Sequence, residues 1–189
     1  MREDVQPQVS KRPLPHLSGV LKVVGILALA LFLNLLVLAL PPSWFEGWGN
    51  LGYLGVFAIT ALANASVFIP VPYPGIVARL ATDLNVFGVA LLGASGSAVG
   101  ETTAFLVGRA GKGVVEQTRF YGWLRSQLRT PVRAFAILFL LSAPPNPFFD
   151  VAGLTAGSIG VPYPVFIAAT FSGRIIRMLI LAYLGRAFL

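Results

Sequence analysis

Leu51 to Ala78 runs for 28 residues without a charged side chain, yet FIPVPYPG puts prolines at positions 70, 72 and 74 near its end. Two full membrane-spanning helices need about 20 apolar residues each and do not fit in that length with a turn. One helix cannot carry three alternating prolines through its interior, because each removes a backbone donor and clashes with the preceding turn. A re-entrant hairpin satisfies both limits, and its tip must be buried in protein or line a wet cavity, since bare backbone is not tolerated in lipid. A second break of the same kind, SAPPNPFFD, lies at Ser142 to Asp150 between AFAILFLL and VAGLTAGSIGV. It carries Pro144, Pro145 and Pro147, with Asn146 and Asp150 as polar groups and Gly153 just beyond.

The 189-residue chain is 56% hydrophobic and 11% charged, which identifies an integral membrane protein. It has no cysteine, and its single histidine, His16, lies in the polar tail, so thiol chemistry, zinc-thiolate sites and histidine triads have nothing to build on. No cofactor and no enzymatic activity is expected. The net charge of +7 sits beside hydrophobic spans, as positive-inside topology and anionic headgroups require, and not on a face for nucleic acid.

Residues 1–22 form a polar tail, and the 18 uncharged residues from Val23 to Leu40 predict an N-terminal transmembrane helix. A cleaved signal peptide is the competing reading; the long basic region and the Pro-Pro-Ser-Trp that follows favour a retained helix. Tryptophans in PPSWFEGWGN, without Lys or Arg, mark a non-cytoplasmic interface, so the N-terminus is expected in the cytoplasm. Val86 to Gly108 predicts a second spanning helix with a small-residue ridge at Gly96, Gly100, Ala104 and Gly108, read as helix packing in preference to a ligand role. GASGS within it lacks the Gly-Lys-Ser/Thr ending of a phosphate loop. Residues 112–129 predict a basic interfacial helix with Val114, Tyr121, Leu124 and Leu128 on one face and Arg119, Arg125 and Arg129 off it.

The chain then repeats itself at an offset of 77 residues. Pro70 matches Pro147, Ser95-Gly96 matches Ser172-Gly173, and Gly108-Arg109-Ala110 matches Gly185-Arg186-Ala187. Repeat 1 covers about 51–110 and repeat 2 about 132–187, within a membrane domain of 51–189. The expected fold is therefore all-α: an inverted repeat of re-entrant hairpin plus transmembrane helix, preceded by one N-terminal transmembrane helix. Such repeats, with broken helix ends facing a central site, are a transporter architecture.

Four charges fall inside the predicted spans: Glu101, Asp150, Arg174 and Arg177. At about 1.5 Å per residue from Pro164, Arg174 lies roughly 15 Å deep. Each costs at least about 2.5 kcal/mol there unless offset. They form either a neutral ionic lock or, with Asn146, a transport pathway; intramembrane ionisable groups favour the pathway. Asn34 is expected to make one interhelical hydrogen bond, Arg109 and Arg186 to snorkel to the interfaces, and Arg79 to pair with Asp83 at the surface.

PNPFFDVAGLTAGSIGVPYPVFIAATFSGRIIRM resembles the signature region of the DedA / SNARE-associated Golgi protein superfamily, the VTT domain. Its PNPxFDxAG core and later ATxxGR are most similar to the vacuole membrane protein branch, while FIPVPYPG and GSAVGETTAFLVGRAGK resemble the family's first hairpin and Gly-rich helix. The resemblance implies two facing hairpins and lipid translocation: phospholipid scrambling in eukaryotic members and recycling of the undecaprenyl phosphate carrier in some bacterial ones. It carries over to Pro144, Asn146, Pro147, Asp150, Gly153 and Arg174, and to Glu101 in the first repeat. Many bacterial members have an acid in the first proline motif and arginines in the second; FIPVPYPG has no carboxylate and SAPPNPFFD no arginine. The function expected is a phospholipid scramblase or lipid-phosphate flippase in the plasma (inner) membrane of a prokaryote. Its expected partners are anionic phospholipid or lipid phosphate, and a homo-oligomer is compatible with the sequence. The alternatives are a proton- or sodium-coupled transporter of a small anion and a non-transporting assembly or scaffold protein.

Overall fold

The computed structural model describes residues 17–44, 47, 49–65, 71–111, 119–144 and 148–189. The described residues form eight α-helices and one short 3-10 turn: α1 (Leu17–Ala39), the turn (Pro42–Trp44), α2 (Leu51–Ala65), α3 (Tyr73–Asp83), α4 (Val86–Ala110), α5 (Arg119–Gln127), α6 (Pro131–Ser142), α7 (Phe148–Ser158) and α8 (Tyr163–Phe188). Only α4 and α8, of 25 and 26 residues, are both long and apolar enough to cross a membrane among the described residues. At about 1.5 Å per residue each exceeds the roughly 30 Å hydrocarbon core. By contrast α2, α3, α6 and α7 have 15, 11, 12 and 11 residues and are too short to span alone.

Local chemistry explains where these helices begin. The Asn85 side chain caps α4 by accepting from Phe87 and Gly88 N–H at 3.0 and 3.2 Å. Thr130 caps α6 ahead of Pro131, whose missing N–H costs nothing in a first turn. Pro72 is the N-cap of α3, and Pro74 sits inside its first turn. Expected as breaks, these two prolines start a helix instead. Pro144 follows the α6 C-cap, Ala143, as a break should. Gly153 is another correction: it lies within α7, against Ala104 of α4, because the helix already begins at Phe148. Pro70, Pro145, Asn146 and Pro147 lie outside the described residues.

The long helices run antiparallel, as their buried residues require. One core cluster joins the first half of α4 (Val86, Val89, Ala90) to the last half of α8 (Met178, Ala182) and to Val77 and Leu80 of α3. The other joins Phe105 of α4 to Phe166 and Ala169 of α8, with Leu138, Phe149 and Ala152. Between the two clusters, on both long helices, every buried polar side chain belongs to one layer: Ser97 and Glu101 on α4, Thr170, Arg174 and Arg177 on α8.

Around this central pair each long helix packs against the first helix of its own repeat and the last short helix of the other. α4 touches α2 and α7; α8 touches α6 and α3. Glycines set these approaches. A side chain at Gly96 would run into the Phe57 carbonyl of α2, and one at Gly173, 77 residues later, into Phe139 of α6. Gly108 abuts the Leu154 backbone of α7, and Gly185 abuts Ala78 of α3. The small-residue ridge of α4 therefore serves two neighbours, one at each end.

α1 docks on α3. Asn34 Oδ1 accepts the Gly75 N–H at 2.8 Å, satisfying a donor left free in the first turn of α3. Arg79 does not stay at the surface with Asp83: it is 8% exposed and donates from Nη2 to the Leu40 carbonyl at 3.2 Å, beyond the end of α1. Arg186, exposed near the end of α8, donates to the Ala81 and Leu84 carbonyls at 3.0 and 3.1 Å, at the end of α3. Both guanidiniums thus find carbonyls at helix ends. In α5 and the turn after it, Tyr121, Leu124 and Leu128 are buried and Arg125 and Arg129 exposed; Val114 lies outside the described residues, as does the Arg119 side chain.

Replacing Gly108 or Gly185 with Val should therefore destabilise the fold by about 1–3 kcal/mol through overpacking against backbone. Gly122→Ala, where an added Cβ meets nothing within 4 Å, should leave it unchanged. Thermal unfolding of the three variants in one detergent measures the contrast.

Candidate functional site

The polar layer holds Glu101 and Arg174 at 1% and 2% exposure. They form a direct ion pair between Arg174 Nη2 and Glu101 Oε1, joining α4 to α8. The Arg174 guanidinium also lies over the Phe149 ring, 5.0 Å from its centroid, so α7 covers the pair with an aromatic face. Phe149 in turn stacks toward Phe166, which stacks on Phe105 at 4.6 Å. These three rings are the edge of the second core cluster that faces the pair.

Arg177, one turn further along α8 and 5% exposed, joins both helix pairs. Its Nη1 donates to the Tyr73 hydroxyl at 3.3 Å, where α3 begins after the first proline motif. Its Nε donates to the Ala143 carbonyl at 3.4 Å, and its Nη2 to the Pro144 carbonyl, where α6 ends. These carbonyls have no helical partner because the chain breaks after them. One guanidinium thus holds both broken ends together.

Asp150 stands in the first turn of α7, where a carboxylate is favoured by the helix dipole. Half-buried, it is in electrostatic range of Arg174 and Arg177 and also of Glu101. Four of the five polar residues expected from sequence, Glu101, Asp150, Arg174 and Arg177, therefore come together; Asn146 lies outside the described residues. On the α2 side, Asn64 Nδ2 donates to Ser97 Oγ at 3.1 Å, one turn from Glu101. Sequence reasoning missed Asn64, Phe149 and Tyr73. Tyr73 had a visible signal, a phenol wedged between prolines in the charge-free run.

The pair is not fully satisfied. Among the described residues Glu101 Oε2 and Arg174 Nε have no hydrogen-bond partner. Leaving such groups bare in a dry interior costs about 1–3 kcal/mol each.

A 460 Å³ pocket opens beside Arg177, lined by Tyr73, Pro74, Ala143, Pro144, Ile180 and Leu184 among others. Pro74, Leu181 and Leu184 are shared with a 570 Å³ furrow between α1, α3 and α8. Apart from Asn34 that furrow is lined by apolar residues. Arg177 lines the pocket but not the furrow. Among the described residues no group of three or more His, Cys, Asp or Glu side chains is placed to hold a metal.

Removing one partner of the buried pair should be costly because the other charge is stranded. Glu101→Ala is expected to lower stability by on the order of 3–5 kcal/mol, and Glu101→Ala/Arg174→Met by less than the sum of the single changes. Unfolding midpoints of the double-mutant cycle test this.

No curated protein and no solved structure matches the chain. The family model of the VTT domain matches residues 52–187. That match starts one residue into α2 and ends one residue before the end of α8, leaving α1 outside. It takes in both helix pairs, both long helices and every residue of the buried charge layer. The chain is an integral membrane protein that belongs to the VTT-domain family, within the DedA / SNARE-associated superfamily.

Proposed function

We propose that this protein moves phosphate-bearing lipids across the membrane, as a scramblase or lipid-phosphate flippase. The observation that carries the reading is Arg177, a cation that joins both broken helix ends and lines a largely apolar pocket. Acyl chains suit the furrow between α1, α3 and α8, and a phosphate oxygen suits the guanidinium better than a backbone carbonyl does, because both partners are charged. Tyr73, Ala143 and Pro144 hold Arg177 until a headgroup replaces one of them.

In this reading α2–α3 and α6–α7 are re-entrant hairpins dipping from opposite faces, the first from outside and the second from the cytoplasm. The tips, including Pro70 and Asn146-Pro147, would meet near the midplane. The N-terminus is cytoplasmic, with α1 as a further span, and the membrane is the inner membrane of a prokaryote. Glu101 and Asp150 balance Arg174 and Arg177, keeping the layer neutral when empty. The vacuole membrane protein branch, whose motifs the second repeat resembles, fits passive scrambling.

A purely structural lock would leave no hydrogen-bonding capacity unused, whereas Glu101 Oε2 and Arg174 Nε are unpaired among the described residues. This favours a pathway over a scaffold, since the unpaired atoms can receive a passing headgroup or water.

The test is purified protein in liposomes with fluorescent phospholipid in both leaflets and an impermeant reductant added outside. Signal loss beyond the outer-leaflet share is expected. Arg177→Gln should slow the excess phase by about tenfold or more, as removal of a charge-assisted contact would, and Asp150→Asn should slow it as well. Loss of the outer-leaflet share alone would sink the reading. Uptake of a small anion driven by a pH or sodium gradient, with no lipid movement, would replace it with a coupled anion transporter.

A further inference from the structure

A second cavity lies well away from the buried charges, where α5 crosses the mouth of the α6–α7 pair. It encloses about 540 Å³, within the usual range for small-molecule sites. Gly122 and Arg125 line it from α5, Arg129 and Thr130 from the turn into α6, and Gly160 and Pro162 from the turn into α8. Along α8, Pro162 precedes Arg174 by 12 residues, or about 18 Å, so the two sites do not overlap.

Two features hold the cavity open. Tyr121, Leu124 and Leu128 anchor α5 on its neighbours, and Ser158 Oγ donates to the Tyr121 hydroxyl at 3.4 Å. Gly160, at φ 80°, ends α7 in a left-handed turn that brings the Val161 N–H back to the Ala156 carbonyl at 2.9 Å. One wall is therefore set by side-chain packing and the other by backbone geometry.

Arg129 lies four residues after Arg125, just past the end of α5. Like charges at that spacing repel, and no described carboxylate forms an ion pair with either. Trp123 and Val132, each next in sequence to a lining residue, are 46% and 80% exposed, a mixture of indole and aliphatic surface that suits the lipid–water boundary. Two guanidinium forks facing one concave space match a dianion with several acceptor oxygens.

We propose that this cavity binds a phosphate monoester between Arg125 and Arg129, carried on a lipid headgroup or free in solution. It is a site separate from Arg177 and does not depend on the transport reading.

The test uses the full chain in detergent micelles, with retention of dioleoyl phosphatidic acid read by native mass spectrometry. Arg125→Gln/Arg129→Gln should weaken retention by about tenfold or more, the loss of charge-assisted contacts. Gly122→Leu should do the same with all charges kept, because its side chain enters open space at the cavity wall. Matching unfolding midpoints will show that both variants are folded. Retention of dioleoyl phosphatidylcholine, which lacks the monoester, should be equal in all proteins. Competition by inorganic phosphate assigns the site to free phosphate, and its failure to compete assigns it to a lipid; either upholds the proposal. Equal retention by wild type and the double variant overturns it. So does full retention by Gly122→Leu, which would reduce the effect to surface charge, or loss of retention in Arg177→Gln, which would place the lipid at the other site.

Discussion

A helix that ends inside an apolar bundle exposes carbonyls and N–H groups to surroundings that cannot solvate them, and this structure is arranged around the side chains that answer that need. Arg177 serves the end of α6, Arg186 the end of α3 and Arg79 the carbonyl beyond α1. Asn34 serves the start of α3. Each cap comes from a helix distant in sequence, so every satisfied end is also a tertiary contact. Arginine suits the role because one planar fork reaches several acceptors and keeps its charge. The groups that allow the chain to break thus also fasten the broken ends to the long helices.

The polar layer follows from the same constraint. Charged caps cannot sit among hydrocarbon without counter-charges, so Glu101 and Asp150 share the space of Arg174 and Arg177. Apolar clusters close off the layer along both long helices. What distinguishes the two repeats is how much chemistry each contributes. At an offset of 77, Arg174 and Arg177 of α8 fall opposite Ser97 and Gly100 of α4. The first repeat offers a hydroxyl and a close backbone approach where the second offers two cations.

Much of this was legible in residue order. Uncharged runs and their prolines located both breaks, and the buried charges announced that they must offset one another. The extent of the breaks was not legible, because a proline that ends one helix is equally at home in the first turn of the next. Pro74 and Phe148 to Asp150 consequently belong to helices. Arg79 read as a surface residue because a carbonyl such as that of Leu40 leaves no mark in a sequence. The choice of Arg174 for Glu101, 73 residues away, and of Arg177 for the broken ends likewise required the packing. Tyr73 did leave a signal, its hydroxyl between prolines, on a ring that is otherwise ordinary in such a run.

The exchange of partners between the two halves bears on biogenesis. Until the ribosome releases α8, the α3 segment lacks the surface that Gly185 and Arg186 provide, and α4 lacks most of its other flank. The first half therefore emerges with these surfaces uncovered, and its packing is completed only when the second half arrives.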